Sequence, residues 1–208
     1  MKLYGTKKSR SFRCVWAAEE AGIDYEYIEV ALGSTESNGS QTDHYKKLNF
    51  QGKVPTFCNH GVTLTESGAI VNYLAKLKPE KNLIPADDTP ARAHYDQLAF
   101  FVLSDLEQAL WTNGKHRFAI PKQYRIADIL PTTHWEFEKS QKALARLIGE
   151  HPVEFALGKH FTMADILIAH TLNWAESFNF DVLPGFLDYK NRLYSRPACI
   201  AAMEKIGI

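Results

Sequence analysis

Cysteine is scarce in this chain, and Cys14, Cys58 and Cys199 stand at spacings that match no disulfide or metal-ligand pattern. That scarcity fits a reducing compartment. The longest apolar run, Leu98 to Leu103, is far too short to cross a bilayer. Met1-Lys2-Leu3-Tyr4 passes straight into strand-like sequence, with no apolar stretch of the secretory-leader kind. An excess of either charge is also missing. Lys plus Arg and Asp plus Glu number 24 each, which removes a global attraction to nucleic acid or to an anionic membrane. No two of the eight histidines stand three or four residues apart, so no helical metal site and no metal cofactor are expected. A phosphate-cradling glycine-rich loop and a G-x-S-x-G elbow are lacking as well. What is left is a cytoplasmic protein whose hydrophobic content, 45%, supports a packed core and excludes wholesale disorder.

The chain changes character near its middle. Lys2 to Gly5 reads as a strand, Phe12 to Ala21 as a helix stopped by Gly22, and Tyr25 to Val30 as an alternating strand. Strand, helix and strand so close together imply a parallel βαβ unit. Residues 33–43 form a polar loop leading into a helical turn at His44 to Lys47. Val54 to Cys58 is β-branched enough for a strand, Asn59-His60-Gly61 is a tight turn, and Val62-Thr63-Leu64 pairs back as a hairpin. A helix follows from Ser67 to Lys76. The charged, proline-bearing stretch from Lys78 to Asp88 reads as a linker. Beyond it every periodic segment is helical: Pro90 through Trp111, Pro131 to Gly149, Thr162 to Phe178, Phe186 to Tyr194 and Pro197 to Lys205. The expected fold is therefore α/β plus all-α, divided as 1–78, a linker at 79–88, and 89–208.

Gln51 to Tyr73 carries the chemistry. Proline cannot donate to a sheet ladder, so Pro55 belongs at a strand's first residue or edge, which leaves the backbone of Val54 able to pair with something other than protein. Glu66-Ser67 opens a helix, where unpaired N–H groups and a partial positive charge suit a carboxylate. Glu66 suits an ammonium, and Lys53 a second carboxylate further off. One reading is a slot for an extended, zwitterionic, peptide-like ligand. The other is an ordinary hairpin whose Thr65, Glu66 and Ser67 merely cap a helix.

Gly52-Lys53-Val54-Pro55 followed by Glu66-Ser67-Gly68-Ala69-Ile70 resembles the glutathione-binding half of the cytosolic glutathione transferases, and the α/β-then-helical plan extends the resemblance to the whole chain. It implies an N-terminal thioredoxin-like domain and a C-terminal helical bundle. It also implies a cis Pro55, glutathione bound by Lys53, Val54, Glu66 and Ser67, a small hydrophobic electrophile as partner, and a homodimer. Asn49-Phe50 departs from the Asn-Pro that usually precedes the motif.

In thioredoxin-like proteins the first strand-to-helix turn faces the proline edge, and redox members carry Cys-x-x-Cys there. This chain has Lys8-Ser9-Arg10-Ser11, so it lacks the exchanging thiol. A serine hydroxyl, a helix N-terminus and Arg10 all stabilise a thiolate brought by a ligand, and the thiolate is the nucleophile. Similarity to serine-type transferases implies Ser9, with Ser11 in play through a register ambiguity and also suited to an N-cap role. Cys14, inside an apolar helix, reads as a small hydrophobe. Tyr95, Phe100, Phe101, Trp111, Trp174 and Phe178 are either core or the lining of an electrophile pocket. Thr162 and Asp165 match a capping box. The activity implied is glutathione conjugation or peroxide reduction. A non-enzymatic binding module of transcription or translation machinery is the alternative.

Overall fold

A computed structural model describes all residues, 1–208. The chain forms two compact units, one of Met1–Ile84 with Ser195–Ile208 and the other of Pro85–Tyr194.

The first unit is thioredoxin-like in element order: β1 (Lys2–Gly5), α1 (Ser11–Ala21), β2 (Glu26–Glu29), α2 (Asp43–Lys46), β3 (Thr56–Asn59), β4 (Val62–Thr65) and α3 (Ser67–Leu77). The sheet runs β2-β1-β3-β4, parallel between β1 and β2 and antiparallel elsewhere. Period-two alternation turns Leu3 and Phe57, register partners with no exposed surface, toward one face. α1 packs on β1 and α3 and carries the buried run Cys14-Val15-Trp16-Ala17. It ends at Gly22 in the left-handed region (φ 63°), whose N–H closes on Glu19.

Two expectations change here. Strand β3 begins at Thr56, opposite Tyr4 and Thr65, because Pro55 has no N–H to donate; Val54 and Pro55 precede the ladder. The last helix, α9 (Pro197–Ile206), groups with the first unit instead of the helical one. It lies along α1, and Arg196 closes a forked ion pair on Glu20 at 2.6 and 2.8 Å.

The second unit is all-helical: α4 (Pro90–Phe101), α5 (Glu107–Gly114), α6 (Leu130–Ile148), α7 (Met163–Ser177) and α8 (Pro184–Tyr194). The expected unbroken helix from Pro90 through Trp111 is widened into a π turn at Val102–Leu106, and a second π turn follows α5 at Lys115–Ala119. Ser104 donates to the Phe100 carbonyl at 2.8 Å, the back-bonding that disturbs a helical ladder. α7 is the core helix, buried from Met163 through Leu172. Its start is the expected capping box, and Asp165 does more than cap. Its carboxylate accepts the N–H of Thr162 and of Ala156, both at 2.8 Å, and the Tyr189 hydroxyl. Burial holds the Asp165 carboxyl above its ordinary pKa, and the same desolvation raises Tyr189.

Candidate active site

Strand register brings the predicted residues to one end of the sheet. Tyr4 of β1 pairs with Thr56 of β3, and Thr56 pairs with Thr65 of β4. The turn after β1, the residues before β3 and those after β4 therefore share an edge: Ser9, Val54-Pro55 and Glu66-Ser67.

At the first turn, Ser9 is half-buried and Ser11 has no exposed surface. Ser9 Oγ donates to the Thr6 carbonyl at 2.7 Å, lies 2.9 Å from Ser11 Oγ, and accepts the Ser11 N–H at 3.1 Å. Arg10, not Ser11, occupies the N-cap position. Ser11 Oγ is turned inward to the Thr6 N–H at 3.3 Å. Gly5 is required opposite it, since a Cβ there would stand 2.6 Å from Ser11 Cβ. Lys7, Lys8 and Arg10 surround the turn with positive charge.

The Val54-Pro55 peptide bond is cis. No backbone hydrogen bond of the chain engages the Val54 N–H or carbonyl. The loop before it is pinned by side chains that sequence reasoning passed over. The Lys53 carbonyl accepts from Tyr45 Oη at 2.7 Å and Asn49 Nδ2 at 2.8 Å, and the Gly52 carbonyl from Gln41 Nε2 at 3.2 Å. Gly52 sits at φ 60°, where a Cβ would strike Gln41. The Asn49-Phe50 departure leaves this loop ordered: Asn49 is buried as its brace, and Phe50 points outward, 80% exposed. The Asn-x-x-Gly spacing was the sequence signal for that turn, closed by Gly52 N–H on the Asn49 carbonyl. The Lys53 side chain is exposed.

Glu66 is exposed with φ 66° and ψ 113°, a backbone position that L-residues rarely adopt, and it leads into α3 at Ser67. Ser67 is buried and held from α1, where Arg13 Nη1 donates to Ser67 Oγ at 3.3 Å. Arg13 has no exposed surface; in sequence it was one cation among many. Cys14 is sealed beside it with its thiol pKa pushed up by burial, as befits a core residue.

The aromatic candidates of the helical unit separate. Tyr95 is core, Phe100 is 70% exposed, and Phe101, Trp111, Trp174 and Phe178 are half-buried. Trp174 and Phe178 meet edge to face at 5.7 Å. No cluster of His, Cys, Asp and Glu in the fold is fit to hold a metal ion.

The family model for the glutathione S-transferase N-terminal domain matches residues 1–76. A zeta-class glutathione S-transferase of Euphorbia esula is 31% identical over 88% of this chain and 79% of its own length. A probable maleylacetoacetate isomerase of Caenorhabditis elegans is 30% identical over 86% and 79%. Among solved structures, the ternary complex of BphK, a bacterial transferase, superposes with a TM-score of 0.86 at 28% identity, covering 100% of both chains. A sphingomonad glutathione S-transferase complexed with glutathione gives 0.82 at 27%, again over 100% of both. With the predicted residues gathered at one sheet edge and these similarities running nearly end to end, the chain belongs to the glutathione S-transferase family.

Proposed function

We propose that this chain is a serine-type glutathione transferase that conjugates the glutathione thiolate to a small hydrophobic electrophile. The observation that carries the reading is the shared sheet edge: a serine hydroxyl at a helix start, an unengaged backbone at Val54, and a Glu-Ser pair opening α3. In this reading Val54 pairs with the cysteinyl backbone. Glu66 takes the ammonium and Ser67 with the α3 N-terminus takes the carboxylate of the γ-glutamyl end, while Lys53 takes the distal carboxylate. Ser9 donates to the sulfur. Its hydroxyl has one proton, so it must exchange the Thr6 carbonyl for the thiolate. The cations of the turn and the start of α1 favour the same ionised form. Sealed against Gly5, Ser11 positions Ser9. The same thiolate serves peroxide reduction.

Retention of Ser9, Lys53, Glu66 and Ser67 together favours an enzyme over a binding module. The name of the nematode relative favours isomerisation of an unsaturated acid as a second reading. Three unpaired cysteines favour the cytoplasm, and family membership favours a homodimer. Retention on immobilised glutathione, followed by turnover with a panel of electrophiles, hydroperoxides and maleylacetoacetate, tests the assignment. A chain that neither binds glutathione nor turns over any of these is the binding module.

A further inference from the structure

Whole-chain neutrality conceals a local asymmetry in the helical unit. Across residues 115–128 stand Lys115, Arg117, Lys122 and Arg125, against Asp128 alone among the acids. The same stretch carries Tyr124 at 65% exposure and Phe118 and Ile126 at 56%. Large apolar side chains this exposed are ordinary singly; three on one short basic segment are not.

Hydrogen bonds hold the segment in a fixed shape. Arg125 turns inward and donates to three carbonyls, those of Ile120 at 2.8 Å, Arg117 at 3.2 Å and Phe118 at 2.7 Å. The Ile126 N–H donates to His116 Nδ1 at 3.1 Å. Residues 124–126 are thereby laid against 116–118. Arg125 and Ile126 have extended backbones, so their side chains take opposite sides: with Arg125 inward, Ile126 points away from the clasp. Tyr124 ends the 3-10 turn Lys122–Tyr124 and is exposed beside it. Lys122 is exposed just before them. Phe118 leans on Phe178 at 5.9 Å, as part of the fold's own aromatic cluster.

We infer that this clasped loop is a docking surface for an anionic phospholipid bilayer. Tyrosine is amphipathic and settles at the headgroup level, isoleucine enters the acyl boundary, and the exposed Lys122 meets the phosphates and serine carboxylates. The pairing of exposed apolar side chains with a basic one, on a loop already ordered, matches a lipid interface better than an acidic protein groove, and ordering costs little because the clasp exists beforehand. This is attachment to a surface; no helix of the chain is long and apolar enough to cross a membrane. The inference is independent of glutathione binding.

Co-sedimentation of the full chain with vesicles tests it. The protein is expected on phosphatidylcholine–phosphatidylserine vesicles, not on phosphatidylcholine alone, with binding that weakens as salt rises. Each basic charge near such a surface is worth about fivefold in partitioning, so Lys122→Glu should lower it roughly twentyfold. Tyr124→Ser with Ile126→Ser should lower it about tenfold or more. Val153→Ser, which removes an apolar side chain 83% exposed elsewhere in the unit, should leave it unchanged. Glutathione-dependent turnover in solution should be the same in all of these variants, which also reports that they fold. No sedimentation with anionic vesicles at low salt overturns the inference, as does undiminished binding of the Lys122 and Tyr124–Ile126 variants. Binding to polyglutamate without binding to vesicles assigns the patch to an acidic protein and likewise overturns it.

Discussion

Ser9 Oγ accepts the Ser11 N–H at 3.1 Å and lies 2.9 Å from Ser11 Oγ. Ser9, which the resemblance favoured, and Ser11, which a register ambiguity kept in play, thus have separate stations, one half-buried at the turn and one beneath it. The hydroxyl-to-hydroxyl contact and the Ser11 N–H together fix the position of Ser9 Oγ. Burial separates the two, because Ser9 is half-buried and Ser11 has no exposed surface, so under the proposed function only Ser9 can meet a ligand.

Ser9→Ala should raise the pKa of the bound glutathione thiol by roughly one to two units. It removes a hydrogen bond to a charged acceptor worth about 1.5–3 kcal/mol, at 1.36 kcal/mol per unit. Thiolate absorbance against pH reads the shift. Turnover at neutral pH should fall about ten- to a hundredfold, with S-methylglutathione affinity unchanged. Ser11→Ala should act mainly on stability, costing about 1–3 kcal/mol in urea unfolding, because the Thr6 N–H loses its partner. A titration that moves in Ser11→Ala but not in Ser9→Ala reverses the assignment.

Glu66 allows affinity and stability to be separated. Glu66→Ala and Ser67→Ala should each raise the glutathione Kd roughly ten- to a hundredfold by calorimetry. Glu66→Gly should lose the same affinity yet be about 1 kcal/mol more stable than Glu66→Ala, since glycine adopts φ 66° without a Cβ penalty. Equal stability of the two variants would show the backbone there to be unstrained.

Asp165 sets a pH dependence of folding. Its carboxyl has a pKa raised by burial in the folded state, so the native chain holds that proton more tightly than the unfolded one. Its contribution to stability is greatest in acid and declines as pH rises from the unfolded pKa through the raised folded one, then stays level. Asp165→Asn should flatten that slope in urea midpoints measured across the acid range. It should also cost about 3 kcal/mol, because several donors converge on the carboxylate and an amide cannot accept them all. Activity per folded molecule should be unaffected; lost turnover in a fully folded variant would give Asp165 a catalytic part.

The thiols should react in order of burial. Cys58 is half-buried, whereas Cys14 and Cys199 are buried, and desolvation pushes Cys199 up to about 12. A disulfide reagent should therefore modify Cys58 alone in the native protein and all three after unfolding. Native modification of Cys14 contradicts the packing of α1.

By itself the sequence determined the order of elements and the local backbone features of the proposed glutathione slot. Period-two alternation at Lys2–Gly5, the stop at Gly22, Pro55 at a strand edge and Glu66-Ser67 at a helix start are local matters of backbone sterics and hydrogen-bond supply, and local chemistry is legible in a string. The braces of the slot were not. Arg13 reaches Ser67 across 54 positions, and Tyr45, Asn49 and Gln41 matter only because the chain before Lys53 folds back over them. The inward turn of Ser11, the return of α9 to α1, and the convergence of Ala156, Thr162 and Tyr189 on Asp165 were decided in the same way. A buried polar group must find partners wherever packing brings them. Which partners those are depends on distance in space, and the three-dimensional fold alone sets that distance.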